Sequence, residues 1–173
     1  TLNPGENSLY SAAIDASGGF AYFGTDTSPG VIVKVRLSDF TRVGALTLNP
    51  GDGSLISAVI DTADGFAYFG TWTMPGMIVK VRLSDLSRVG ALTLNPGEDW
   101  VRSAVIDASG GFAYLGTCTW PGIVVKIRLS EFTRVGALTL DPGQSALYSA
   151  VADAANGLAY FGTNTAPGMV VKV

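Results

Sequence analysis

The sequence contains no histidine and only one cysteine, Cys118, among its 173 residues. Histidine is the commonest zinc ligand and the usual proton shuttle near neutral pH, so most hydrolase and metalloenzyme chemistry lacks its customary groups. A single thiol also cannot form an internal disulfide. We therefore predict a protein that is not an enzyme and that carries neither a cofactor nor a metal ion.

Charge and long apolar runs are scarce as well. Only 14% of the residues are charged, and the net charge is -3. This gives no electrostatic reason to expect a nucleic acid or an anionic membrane as partner. No apolar run approaches the roughly 18 residues that cross a bilayer, so membrane insertion is not predicted either. The remaining composition, 47% apolar with 22 Gly and 8 Pro, is typical of one globular domain.

A repeat is the strongest feature of the chain. The segment TLNPG recurs at Thr1, Thr47 and Thr93, and TLDPG follows at Thr139, which gives a constant step of 46 residues. Such a regular period indicates duplication of one structural unit. We divide the single domain 1–173 into the repeats 1–46, 47–92, 93–138 and 139–173.

Each repeat shows the pattern of four short strands separated by turn residues. In the first repeat we predict strands at Ser11–Asp15, Phe20–Thr25, Val31–Leu37 and Thr41–Leu48. Gly-Gly, Pro-Gly and Ser-Asp pairs lie between them, and no window shows a helical stripe. The fold class is therefore all-β, with four-stranded antiparallel units.

A unit of 46 residues is too small to bury both faces of its sheet alone and must stack on its copies. Four-stranded units of this length are typical of the blades of a β-propeller. The stretches IVKVRLSDFTRVGALTL and SAAIDASGGFAYFGT resemble the YVTN and NHL group of propeller repeats. The resemblance implies that SAAID is the inner strand near the axis and TRVGALTL the outer strand. A parallel β-solenoid is the competing architecture.

The fourth repeat ends before its outer strand, so we expect about four blades with the last one lacking that strand. The free edge of MVVKV would invite strand addition. The chain then belongs to a longer propeller, forms a ring of about eight blades as a dimer, or receives a strand from a partner. A closed four-bladed monomer is the alternative.

Two connections differ among the copies while the rest of the repeat agrees. They are the approach to the inner strand and the turn after the second strand, which lie on one face of a propeller. Side chains on this face are the candidate ligand-binding residues: Asp26, Ser28, Trp72, Met74, Glu98, Asp99, Trp100, Trp120 and Asn164. Exposed aromatic groups can anchor a peptide or stack on a sugar. The alternative is that these aromatic residues only cover the end of the core.

Two sets of charged residues have structural explanations. Asp15 and its copies precede the inner turn, where a carboxylate can accept hydrogen bonds from backbone N–H groups. Lys34, Arg36 and Arg42 alternate near Asp39, so we expect a solvated rim with weak ion pairs.

These features favour a non-catalytic propeller that binds another protein or copies of itself, because a rigid scaffold with one variable face suits that role. A lectin-like, carbohydrate-binding propeller is the second hypothesis. Related repeats occur in microbial envelope proteins, so the expected location is extracellular or at the cell surface.

Overall fold

The computed structural model describes all residues, 1–173, and contains fifteen strands in four antiparallel sheets. The sheets are the four blades of a propeller, and each follows the order of the chain from the inner to the outer strand. The solenoid alternative is thereby excluded. No helix in the structure is long and apolar enough to cross a membrane.

The strands fall at the same places in every repeat. Blade 1 contains β1 (Leu9–Asp15), β2 (Phe20–Thr25), β3 (Val31–Arg36) and β4 (Arg42–Thr47). Blade 2 contains β5 (Leu55–Asp61), β6 (Phe66–Thr71), β7 (Met77–Arg82) and β8 (Ser87–Thr93). Blade 3 contains β9 (Val101–Asp107), β10 (Phe112–Thr117), β11 (Ile123–Arg128) and β12 (Thr133–Thr139). Blade 4 has only β13 (Leu147–Asp153), β14 (Leu158–Thr163) and β15 (Val170–Lys172), as predicted.

The turn between the first two strands of each blade is closed by its aspartate. The Asp15 carboxylate accepts a hydrogen bond from the N–H of Gly18 at 2.7 Å, and that of Asp107 accepts one from Gly110 at 2.8 Å. Asp61 and Asp153 accept equivalent bonds from the residue three positions on. The structural role predicted for these carboxylates is confirmed.

The apolar core lies between the blades. We call the face that a blade turns toward the following blade its front and the opposite face its back. Between blades 1 and 2, Tyr22, Ile32 and Leu48 of the front pack against a back that includes Leu55 and Phe69. The two other interfaces repeat this arrangement with the corresponding residues. Burial of these alternate side chains is what fixes the register of each strand.

The expected solvated rim is correct only for Arg36, which forms an exposed ion pair with Asp39. Lys34 instead lies over the ring of Phe20 and donates to the Leu83 carbonyl of the next blade at 3.1 Å. Its copy Lys80 is buried, and desolvation lowers its pKa.

Arg42 also departs from the solvated rim, because Nε donates to the Glu6 carboxylate at 2.8 Å. The Glu6 side chain is only 6% exposed, so this pair lies largely inside the blade. Arg88 and Arg134 form the same pair with Asp52 and Glu98. The sequence predicted the wrong environment because alternation along a strand does not show that a residue 36 positions earlier in the same repeat folds against it.

The first and last blades each leave one face uncovered. On the back of blade 1, Leu9 is 43% exposed, whereas its copies Leu55 and Leu147 are fully buried. On the front of blade 4, Val151 is 62% exposed, whereas its copy Val59 is 9% exposed. The four blades therefore do not close on one another as a four-bladed ring.

Candidate functional site

The turn after the second strand is shaped by a pair of threonines. The hydroxyl oxygens of Thr25 and Thr27 lie 2.6 Å apart, and Thr27 donates to the Pro29 carbonyl at 2.9 Å. The N–H of Val31 donates to the Thr25 hydroxyl at 2.8 Å. Thr71 with Thr73 and Thr163 with Thr165 repeat these three bonds in blades 2 and 4. The scaffold of the turn is thus constant. Only the residue between the two threonines and the residue before the proline vary among the copies.

The approach segments 6–10, 52–56, 98–102 and 144–148 lie beside these turns. In blade 1 the N–H of Asp26 donates to the Ser8 carbonyl at 2.8 Å, and the other three blades have the same bond. The residue that provides this carbonyl has a left-handed backbone, with φ between 51° and 53° at Ser8, Ser54, Trp100 and Ala146. We call these approach segments and turns together the variable face. Their adjacency is the one that the repeat comparison predicted.

The variable face contains a pocket near the axis that all four blades line. Its walls are Tyr10 and Asp26 of blade 1, Ile56 and Trp72 of blade 2, Arg102 of blade 3 and Tyr148 of blade 4. The inner strands β1, β5, β9 and β13 position four of these side chains, and the turns position Asp26 and Trp72. We call this the axial pocket. Three of its six wall residues are aromatic, and the others are one aliphatic, one cationic and one anionic residue.

Two contacts order the aromatic walls of the axial pocket. The Trp72 and Trp100 rings stack with centroids 5.6 Å apart and planes inclined by 30°. The Arg102 guanidinium carbon lies 4.7 Å from the centroid of the Tyr148 ring, a cation–π contact between blades 3 and 4. Three of the six wall residues, Trp72, Arg102 and Tyr148, are therefore held by contacts with another aromatic or charged group.

Arg102 differs from every other arginine in the chain. The six others each pair with a carboxylate: Arg36, Arg42, Arg82, Arg88, Arg128 and Arg134. Arg102 forms no ion pair, although it is half-buried beside Tyr148. A guanidinium carries five donors in a fork that matches a carboxylate, so Arg102 is free to bind one from outside the chain.

The predicted site residues are distributed unequally around the axial pocket. Asp26 and Trp72 line it, and Trp100 stacks on Trp72 without lining the pocket itself. Ser28, Met74, Trp120 and Asn164 are exposed on the same face but do not line the pocket, and Asp99 is half-buried.

Glu98 lies apart from the other candidates. Its side chain is 6% exposed, accepts from Nε of Arg134 at 2.9 Å and accepts from the N–H of Asn95 at 3.0 Å. These bonds occupy the carboxylate inside blade 3.

Four pocket residues are absent from the predicted set: Tyr10, Ile56, Arg102 and Tyr148. They occupy one position of the repeat, the last residue of each approach segment. The sequence does indicate this position, because its residue varies among the four copies while the serine that follows it is the same in all of them. The prediction favoured tryptophans in the connections and passed over a residue that already belongs to the inner strand.

Cys118 occupies the turn position of Asp26 and Trp72, but its side chain is buried. Desolvation raises the pKa of the thiol, which keeps it protonated and weakly nucleophilic at neutral pH. The thiol is thus part of the packing beneath the variable face.

Solved structures of WD40-repeat proteins share this architecture. The crystal structure of the RRP9 WD40 repeats superposes with a TM-score of 0.74 and 10% sequence identity, covering 93% of this chain and 46% of RRP9. The structure of U3-55K gives a TM-score of 0.78 and 10% identity, covering 99% of this chain and 51% of U3-55K. The chain spans about half the length of these structures, and at such low identity the likeness shows the fold alone. No family model and no curated protein matches the sequence.

These comparisons bear on three earlier expectations. They support a propeller but not its YVTN or NHL type, and they give no support to the lectin-like alternative. The comparisons contradict the expected extracellular or cell-surface location, because RRP9 and U3-55K, two proteins that share the fold, are not envelope proteins.

Proposed function

We propose that the protein is a non-catalytic propeller that binds a peptide segment of another protein in the axial pocket. The segment presents a carboxylate to Arg102 and an apolar or aromatic side chain to Trp72 and the two tyrosines. The repeat motifs support placing the blades with the YVTN and NHL type. Residues 1–173 act as one propeller or propeller segment in this proposal.

The observation that carries the proposal is the unpaired guanidinium of Arg102 among aromatic walls. Trp, Tyr and Arg are the residues that most often supply the binding energy of a protein interface, and they do so in central, desolvated pockets. The axial pocket contains all three types within one concave surface. The likeness to WD40-repeat propellers is consistent with a scaffold for protein partners.

A carboxylate ligand is favoured over a cationic one. Asp26 is the one acidic wall of the pocket, while Tyr10, Tyr148 and Trp72 bring no negative charge. A bidentate bond from Arg102 adds charge-assisted hydrogen bonding in a setting that is partly shielded from water. Replacement of Arg102 by alanine should therefore reduce the affinity for the peptide more than replacement of a residue outside the pocket does.

Selection from a displayed library of random peptides tests this proposal. We expect the protein to enrich peptides that share an Asp or Glu next to an aromatic residue. Binding of a synthetic enriched peptide, measured by fluorescence anisotropy, is expected to fall at least tenfold for Arg102→Ala and for Trp72→Ala, because each removes a central anchor. Trp120→Ala is the matched control, since Trp120 is exposed on the same face outside the pocket.

Two outcomes contradict the proposal. One is a selection that enriches no motif, and the other is an enriched peptide whose affinity Arg102→Ala leaves unchanged. An effect of Trp120→Ala as large as that of Trp72→Ala would move the site away from the axis.

A further inference from the structure

We propose that the uncovered front of blade 4 binds the uncovered back of blade 1 in a second copy of the chain, so that two copies close one ring of about eight blades. This inference is independent of the ligand of the axial pocket. It rests on the three interfaces inside the chain, which are built from the same contacts.

Hydrogen bonds across the interfaces recur at fixed positions. The Ser11 hydroxyl donates to the Leu55 carbonyl of the next blade at 2.8 Å, as Ser57 does to Val101 and Ser103 to Leu147. The N–H of Gly30 donates to the Asp52 carbonyl at 2.8 Å, and that of Ser54 returns a bond to the Thr27 carbonyl at 2.9 Å. The pairs Gly76 with Trp100 and Gly122 with Ala146 donate in the same way.

The apolar part of each interface is a leucine or valine seated on a glycine. A Cβ atom placed on Gly24 would lie 2.8 Å from Cβ of Leu55, so only glycine lets the second strand of blade 1 and the inner strand of blade 2 approach this closely. Gly70 and Gly116 receive Val101 and Leu147 in the same way. Beside this seat, Phe132 of blade 3 packs 5.9 Å from the Tyr68 ring of blade 2.

The two uncovered faces carry these same groups without their counterparts. On the front of blade 4, Ser149 is exposed and Gly162 has no neighbour beyond Ser149 within 4 Å of a built Cβ. An apolar cleft lies there, lined by Ser149, Ala150, Val151, Tyr160, Gly162 and Val170. This cleft on blade 4 corresponds to the place on blade 1 that Leu55 occupies in the interface between blades 1 and 2.

The back of blade 1 presents the complementary set. Leu9 is the copy of Leu55, and Phe40, which is 85% exposed, is the copy of the half-buried Phe132. The N–H of Ser8 and of Gly168, copies of Ser54 and Gly30, have no backbone partner. Each group that is unpaired on one face has its natural partner on the other.

The number of copies follows from the share of a whole propeller that the chain covers. It superposes on 46% of one WD40-type structure and 51% of the other, so two copies together match the length of one such propeller. The contact is head to tail, and such contacts form a ring when the rotation closes. Two copies complete the turn, and the axial groove between β1, β5, β9 and β13, which is open on one side, becomes an enclosed channel.

Native mass spectrometry and light scattering of the purified chain test the inference. At about 50 µM protein, where a micromolar interface is mostly occupied, we expect a particle of twice 17.9 kDa. Leu9→Glu places a charge in the apolar seat, and Gly162→Ala fills that seat, so both variants are expected to have the mass of one chain. Neither change touches an internal interface, and circular dichroism verifies that both variants keep their β structure.

Met74→Glu is the matched control, because Met74 is 68% exposed on the variable face away from both uncovered faces. It is expected to remain dimeric. A wild-type chain with the mass of one copy overturns the inference and points to further blades or another protein on these faces. A dimer that survives both Leu9→Glu and Gly162→Ala, or a series of larger oligomers, overturns it as well.

Discussion

The closest approach between blades occurs at glycines in the second strands. A built Cβ on Gly116 would lie within 3 Å of the rotatable Ser103 hydroxyl in its own blade, and in blade 4 it would lie 2.8 Å from Cβ of Leu147 and 3.0 Å from Cδ1 of Phe161. Both neighbours in blade 4 are fully buried and cannot retreat without moving the inner and second strands of that blade. Glycine is therefore required at this position by the packing between blades, not by its own backbone conformation.

Gly116→Ala is expected to lower the free energy of unfolding by about 1–3 kcal/mol, the usual cost of overpacking a core. Gly136→Ala should change it little, because nothing lies within 4 Å of a Cβ built on Gly136 in the outer strand. Urea unfolding followed by circular dichroism measures both variants. Equal midpoints for the two would contradict the packing described between blades 3 and 4.

Residues whose role is local were predictable, and those whose role depends on a neighbour were not. The turn role of Asp15 follows from its own chain segment, since its partner is three residues away. The partner of Lys34 is 49 residues away on another blade, and no local pattern indicates it. Arg102 required the knowledge that four inner strands converge, which places one repeat position around one pocket.

At the level of elements, each complete blade is tied by a largely buried ion pair between the approach segment and the outer strand. In blade 3, Arg134 of β12 binds Glu98, whose carboxylate also accepts from Asn95. The pair holds segment 98–102, which carries Trp100 and Arg102, against the blade. Stability and the shape of the axial pocket are therefore linked through this contact.

Arg134→Ala is expected to lower the free energy of unfolding by about 1–3 kcal/mol, because it leaves the nearly buried Glu98 carboxylate without its arginine partner. The comparison is Arg82→Ala, whose pair with Asp85 is about half exposed on both sides and should contribute almost nothing. Chemical unfolding gives the stability. Arg134→Ala, but not Arg82→Ala, should also alter the fluorescence of the stacked Trp72 and Trp100. If Arg134→Ala lost no more stability than Arg82→Ala, the pair of Arg134 with Glu98 would not hold segment 98–102 against the blade.

The element boundaries were predicted to within two residues in the first repeat, because alternation and turn residues define them. The first strand begins at Leu9 rather than Ser11, since a register shift between these residues lets the strand continue past its bulge. The uncovered faces were foreseen only as an incomplete fourth blade. Their residues became visible once the exposed Leu9 and Val151 could be compared with buried copies.

For the whole molecule, stability should depend on pH only in the acid range. Hydrogen bonds from Arg42 hold the pKa of Glu6 below its ordinary 4.5, and the N–H of Gly110 holds that of Asp107 below 3.8. A carboxyl whose pKa is lower in the folded state stabilises the fold above its unfolded pKa. That contribution disappears as the pH falls through the folded value.

We therefore expect a melting temperature that is nearly constant from about pH 7.5 to pH 5.5, since no histidine titrates there. The melting temperature should decrease once the pH drops below the ordinary pKa values of the carboxyl groups. Glu6→Gln should lower the melting temperature at neutral pH and make its decline in acid shallower. Circular dichroism melts across this range provide the measurement. A stability transition near pH 6.5 would contradict the account.

Amide hydrogen exchange tests the stacking of the blades most directly. In the Leu9→Glu variant, whose fold should be intact in a single chain, the N–H groups of Gly30, Gly76 and Gly122 should be protected, because each is bonded to the following blade. The N–H of Gly168, the same position in blade 4, should exchange much faster. Uniform exchange at all four glycines would contradict a propeller whose blades are joined by one repeated interface.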